Sequence, residues 1–174
     1  MVISPDEGGM SRAIYIANVL GLDMGMFYKR RDYTRIVNGR NPIVAHEFLG
    51  TNVEGKDMII IDDMISSGES MLDIAAKLKE KGAGRIFIFS TFGLFVEGLD
   101  KFDEYYEKGL IDKIFTTNLI YQPAELLSRE WYGSVNMAKY IALLVETLNY
   151  DNSISSLLDP VDRIKNAVEK YNNK

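Results

Sequence analysis

The chain has 174 residues, of which 47% are hydrophobic, a length and composition that suit one globular domain around one core. Its formal net charge of −5 argues against general nucleic-acid binding. With no cysteine and one histidine, His46, it has no disulfide, no thiolate nucleophile, no cysteine-ligated zinc and no multi-histidine metal site of its own. No apolar run is long enough to span a membrane, and the N-terminus lacks the basic and apolar regions of a signal peptide. A cytoplasmic protein is expected.

Met1 to Ser4 reads as a short strand and Pro5-Asp6-Glu7-Gly8-Gly9 as a loop. Ser11 to Leu20 follows as a helix with Ala13, Ile16, Ala17 and Leu20 on one face, stopped by Gly21. Met24 to Tyr28 is a strand. Lys29 to Pro42 is polar and basic without clear periodicity, which predicts a long loop. Ile43 to Leu49 is a further strand. Met58 to Ile61 is an apolar strand that ends in two acids, Asp62 and Asp63, before a Ser/Gly turn. Ser70 to Lys81 is an amphipathic helix with Met71, Ala75 and Leu78 in register, ended by Gly82.

Arg85 to Thr91 is a buried strand, Val96 to Lys108 a helix, Lys113 to Thr117 a strand and Leu126 to Glu130 a weak one. Val135 to Leu148 is apolar almost all round, which predicts a buried helix. Residues 1–150 form the domain. Residues 151–174 are a linker and a last helix, capped by Asp159-Pro160, with Val161, Ile164 and Val168 on a stripe. The alternation of strands and helices predicts an α/β fold, a mainly parallel sheet with helices on both faces.

Three stretches carry the chemistry. In the first, the strand delivers Asp62 and Asp63 into the turn Ser66-Ser67-Gly68-Glu69-Ser70 and then a helix. Turn amides and a helix N-terminus attract a phosphate, and the acids accept hydrogen bonds from ribose hydroxyls. The same order also suits an ordinary βα junction with Ser and Asp as caps. In the second, Ser4-Pro5-Asp6-Glu7-Gly8-Gly9 again joins a strand to a helix, with glycines that let a pyrophosphate approach closely. A capped turn reads the same way. In the third, Lys29-Arg30-Arg31 offers charge for phosphate neutralisation, although a basic run is commonly a solvated loop.

Together these stretches resemble ribose-phosphate pyrophosphokinases, relatives of the type I phosphoribosyltransferases. The likeness rests on the double acid and its turn, on S-P-D with two glycines followed by Arg12-Ala13, and on K-R-R at residues 29 to 31. It covers roughly residues 1 to 133. It implies a phosphoribosyltransferase-like fold and transfer of diphosphate from ATP to ribose 5-phosphate, giving phosphoribosyl pyrophosphate. By this likeness Asp6 helps hold the Mg²⁺ of Mg-ATP. Lys29 and Arg31 are catalytic, Arg31 also meeting substrate, at the mouth of a loop that closes over the site and that Asp32, Arg35 and Arg40 extend. Asp62 and Asp63 hold ribose hydroxyls, and Ser66, Ser67, Gly68, Glu69 and Ser70 hold the 5-phosphate. A homo-oligomeric full-length enzyme is implied.

The chain departs from the family in places. The usual turn is D-T-x-G-T, so Ser66 replaces an acid and Glu69 falls beside the expected phosphate. Thr91-Phe92 stands where Thr-His is common. The family has two similar α/β halves, and this chain begins where the second begins, so it is expected to have little activity alone. Two other readings remain: a free-standing phosphoribosyltransferase, for which no base-specific signature is seen, and a regulatory homologue that binds a sugar phosphate without catalysis.

Overall fold

The computed structural model describes residues 1–31 and 43–173, by backbone alone at 29–31 and 43–46. Seven strands are described: β1 (Val2–Ser4), β2 (Met24–Arg31), β3 (Ile43–Leu49), β4 (Met58–Ile65), β5 (Ile86–Gly93), β6 (Lys113–Thr117) and β7 (Tyr132–Val135). They form one sheet in the order β3-β2-β1-β4-β5-β6-β7. Every pairing is parallel except β2 with β3. The helices are α1 (Met10–Leu20), α2 (Glu69–Glu80), α3 (Asp100–Glu107), α4 (Ala124–Leu127), α5 (Ala138–Asn149), α6 (Ser155–Leu158) and α7 (Val161–Asn172).

The main core covers one face of the sheet, while α1 covers the other only at β1, β2 and β4; Phe89 of β5 and Val135 of β7 stay exposed there. Ile3, Met58, Ile60, Ile86, Ile88 and Ile114 face the main core. There they meet Met71, Leu72, Ala75 and Leu78 of α2, whose spacing makes one helical face, and Phe102 of α3. Phe102 stacks on Trp131 with ring centroids 5.5 Å apart. On the opposite face Val2 and Ile61 pack against Ala13 and Ala17 of α1.

The strand order sets the position of the site. The chain leaves β1 for β2 on one side, then returns to place β4 on the other. Adjacent parallel strands whose connections depart in opposite directions leave a crevice at their carboxyl ends, the switch point at which open α/β sheets bind ligands.

Several expectations are corrected. Residues 29 to 31 continue β2 and are not loop; pairing with β3 carries the strand on, through a register shift between Arg30 and Arg31. The remainder of that expected loop, including Asp32, Arg35 and Arg40, lies outside the described residues. β4 does not stop at the acids but runs on to Ile65, because Met64 and Ile65 pair with Phe92 and Gly93 of β5. α3 starts at Asp100; residues 94 to 98 are instead held to the β4 turn, with Leu94 N–H donating to Ile65 O (2.8 Å) and Val96 N–H to Ser66 O (3.1 Å). The weak strand over 126 to 130 is the short helix α4 and its exit, and the pairing strand is β7.

The helix after β7 begins at Ala138, since Asn118 Oδ1 accepts from Met137 N–H (2.8 Å) and Asn136 Oδ1 from Ala138 N–H (2.9 Å). It is not buried: Ile141, Val145 and Leu148 are exposed. Its apolar composition permits burial but supplies no neighbour, and α5 departs from an edge strand. The tail holds α6 inside the expected linker. Asp159 Oδ1 accepts from Val161 N–H at 3.0 Å and so starts α7 as expected. Tyr140 and Arg163 both donate to the Leu157 carbonyl, tying the tail to α5. No helix among the described residues is long and apolar enough to cross a membrane.

Candidate functional site

A cavity of about 150 Å³ opens at the β1/β4 switch point. The loop after β1 contributes Pro5 and Asp6 to its wall, β4 contributes Asp62 and Met64, and the turn into α2 contributes Ser66 to Ser70. Two stretches more than fifty residues apart in sequence are thereby brought together. Each joins a parallel strand to a helix, so both present backbone amides at the same edge of the sheet.

Gly68 shapes the turn. It has a φ of 84° and caps α2 without a side-chain hydrogen bond. A Cβ there would come within 2.1 Å of the Phe102 ring, so only glycine serves both the left-handed backbone and the packing beneath it. Ser67 Oγ accepts from Glu69 N–H at 3.4 Å. The first amides of α2 have no partner inside the helix, as at any helix start, and an anion satisfies them well.

The two acids differ. Asp62 is half-buried and Asp63 is exposed. Burial raises the Asp62 carboxyl above the usual carboxylate range. Hydrogen bonding to Asp62 lowers that of Asp63. Asp62 Oδ1 accepts from Asp63 N–H at 2.9 Å and from Arg12 Nη1 at 3.3 Å. Arg12 Nη2 lies 3.7 Å from Asp63 Oδ2. In the β1 loop, Asp6 Oδ1 accepts from Gly9 N–H (3.1 Å), and Ser4 Oγ donates to Asp6 O (2.7 Å). These bonds set the loop against the entry to α1.

Asp6, Asp62, Ser66, Ser67, Gly68, Glu69 and Ser70 all line the cavity; the exposed Asp63 is not part of its wall. Glu69 reaches Lys101 of α3 with its carboxylate, Oε1 to Nζ 3.0 Å. Lys29 and Arg31 lie near the carboxyl end of β2, in register with His46 and Ile43. Ser4 at the end of β1 pairs with Met26, so the basic run extends beyond β1 at the same edge of the sheet as the cavity.

Sequence reasoning missed two contributors. Arg12 enters the sequence pattern only beside Ala13, although an arginine in the first turn after an acidic loop is a signal for contact with acids nearby. Lys101 gave no signal, since its partner lies 32 residues away on another helix.

A magnesium ion suits the donor set at this end of the sheet. Mg²⁺ binds through one or two carboxylates together with substrate phosphates and water. Asp6 and Asp62 bring two carboxylates to one small cavity. Among the described residues no cluster of three metal-ligating side chains exists.

The family's sequence model, phosphoribosyl synthetase-associated domain, matches residues 36–159. The chain is 28% identical over 160 residues to a ribose-phosphate pyrophosphokinase of Vibrio parahaemolyticus, covering 91% of this chain and 48% of that protein. It is 36% identical over 156 residues to one of Mycoplasma genitalium, covering 89% of this chain and 44% of that protein. It thus spans about half the length of these relatives. A phosphoribosylpyrophosphate synthetase from Mycobacterium smegmatis has the same fold, with a TM-score of 0.71 at 22% identity, over 87% of this chain and 45% of the other. From the match over residues 36–159 together with the strand, acid and turn geometry, the chain belongs to the phosphoribosyl synthetase-associated domain family.

Proposed function

We propose that this chain is the ribose 5-phosphate-binding half of a ribose-phosphate pyrophosphokinase, which moves diphosphate from ATP to the C1 hydroxyl of ribose 5-phosphate. The observation that supports it most is the cavity that joins Asp6, Asp62 and the Ser66 to Ser70 turn at the switch point. The turn amides and hydroxyls hold the 5-phosphate, and Asp62 and Asp63 accept from the ribose hydroxyls. Asp6 would hold the Mg²⁺ of Mg-ATP, which would supply charge neutralisation at the transferring group. Lys29 and Arg31 add positive charge there. Diphosphoryl transfer needs positioning and electrostatics more than covalent help from the protein.

The experiment has two arms. Calorimetry of the purified chain with ribose 5-phosphate should show saturable binding, and absence of binding would overturn the reading. An assay with Mg²⁺, ATP and ribose 5-phosphate should show turnover far below about 1 per second, because half of the relatives' length is not spanned by this chain. Transfer of phosphoribose to a nucleobase would instead favour the phosphoribosyltransferase reading.

A further inference from the structure

We propose that Arg12 is a positioning residue that aims Asp62 at the ribose hydroxyls. The inference rests on the role proposed above for Asp62. Arg12 stands in the first turn of α1, directly after the loop that carries Asp6. Its two terminal nitrogens go to two different carboxylates: Nη1 to Asp62 Oδ1 at 3.3 Å and Nη2 to Asp63 Oδ2 at 3.7 Å. The guanidinium therefore bridges the acid pair, a geometry that a single-point cation does not reproduce.

The pattern at Asp62 shows what the bridge achieves. Oδ1 accepts from both Arg12 and the Asp63 amide. Neither of these bonds engages Oδ2. Oδ1 is thus anchored twice, which fixes the direction of the carboxylate. Two adjacent acids also repel one another, and a cation shared between them offsets that repulsion without occupying Oδ2.

An exposed ion pair by itself is worth little. Arg12 differs from one in two respects. Its side chain borders a second cavity, of about 350 Å³, shared with Ile16, Leu20, Ile59 and Ile61, so the aliphatic stem stands beside apolar surface while the head stays polar. It also spans the switch point, joining the helix behind the Asp6 loop to the strand that bears Asp62 and Asp63. Any drift between those two elements changes the distance between metal-side and ribose-side carboxylates, and the bridge resists it.

The test uses the purified chain and three proteins: wild type, Arg12→Gln and Arg12→Lys. Calorimetry with ribose 5-phosphate should show about a tenfold weaker affinity for Arg12→Gln, the loss of one charge-assisted orientation, with partial recovery in Arg12→Lys. Melting temperatures of all three should agree within about 2 °C, because both partners stay partly exposed and the bridge orients more than it stabilises. Unchanged affinity in Arg12→Gln, or a loss of affinity that follows a fall in melting temperature and is not recovered by lysine, would overturn the inference. A ligand-free crystal structure of Arg12→Gln gives a readout independent of the substrate. Asp62 should leave its wild-type rotamer, and retention of that rotamer would overturn the inference. Wild-type protein that fails to bind ribose 5-phosphate while Asp62 still moves in Arg12→Gln would refute the proposed substrate and leave the positioning role standing.

Discussion

Glu69 and Lys101 form an ion pair across α2 and α3, with Oε1 and Nζ 3.0 Å apart. Lys101 also holds Glu97 at 3.2 Å. The pair turns the Glu69 carboxylate toward α3, where Lys101, shared with Glu97, offsets part of its charge beside the proposed phosphate. Releasing it should therefore matter. Lys101→Ala should weaken ribose 5-phosphate binding about two- to threefold at low ionic strength, and the effect should shrink in high salt, as for exposed charges. Adding Glu69→Gln to that variant should restore affinity. A loss that persists in the double variant would show that Lys101 acts on the ligand directly.

Gly68 supports both the turn and the core. Gly68→Ala forces a side chain into a φ of 84° and into the Phe102 ring. Left-handed strain and overpacking should together cost about 2–4 kcal/mol. Urea unfolding measures it. A change below about 0.5 kcal/mol would mean that the turn relaxes and that Phe102 is not confined by Trp131.

Much of the fold was legible because the local signals agreed. The run Met58 to Ile61 is buried or half-buried along its length, and α2 has apolar residues at helical spacing, so period and burial pointed the same way. The candidate site was legible in part. Strand, acid and turn were visible at Asp62 to Ser70, and the Asp6 loop at a second junction, but their convergence depends on strand order, which no local pattern encodes. Errors arose where a long-range partner decided the outcome. Leu126 is buried, which suits a strand by local pattern, yet the β6 edge is taken by Tyr132 to Val135. The apolar helix α5 looked like core from composition, but burial needs a surface to meet, and no residue of α5 is buried. Lys29 to Arg31 looked like loop because basic residues are common there; pairing with β3 is a tertiary fact.

The hydroxyls of the turn give a direct check on where the phosphate sits. Ser67→Ala with Ser70→Ala removes two donors from the cavity wall. Each net hydrogen bond should be worth roughly 0.5–1.5 kcal/mol, so calorimetry should show a weakening of about fivefold to 150-fold for the pair. Ser67 also accepts from the Glu69 amide, so the N-terminus of α2 should fray slightly, visible as faster amide exchange at Glu69. Unchanged affinity in the double variant would place the phosphate elsewhere.

Asp62 should trade stability for binding. Burial raises its carboxyl above the ordinary Asp range in the folded chain. A group of this kind binds its proton more tightly when folded than when unfolded. Stability therefore falls as pH climbs from the ordinary Asp range through the raised value, and the cost persists in full above it. At neutral pH wild-type protein bears that cost, and Asp62→Asn should melt at a higher temperature. Below about pH 3, where an ordinary Asp is protonated in both states, the two proteins should converge. The Asp63 amide, 2.9 Å from Asp62 Oδ1, opposes burial; if that hydrogen bond outweighed burial, Asp62→Asn would be the less stable protein at pH 7 and the gap would close on acidification from the other side. Thermal melts across this pH range distinguish the two. In either case ribose 5-phosphate affinity should drop at neutral pH, because an amide replaces a charged acceptor with a weaker one and presents a donor to the ribose hydroxyls.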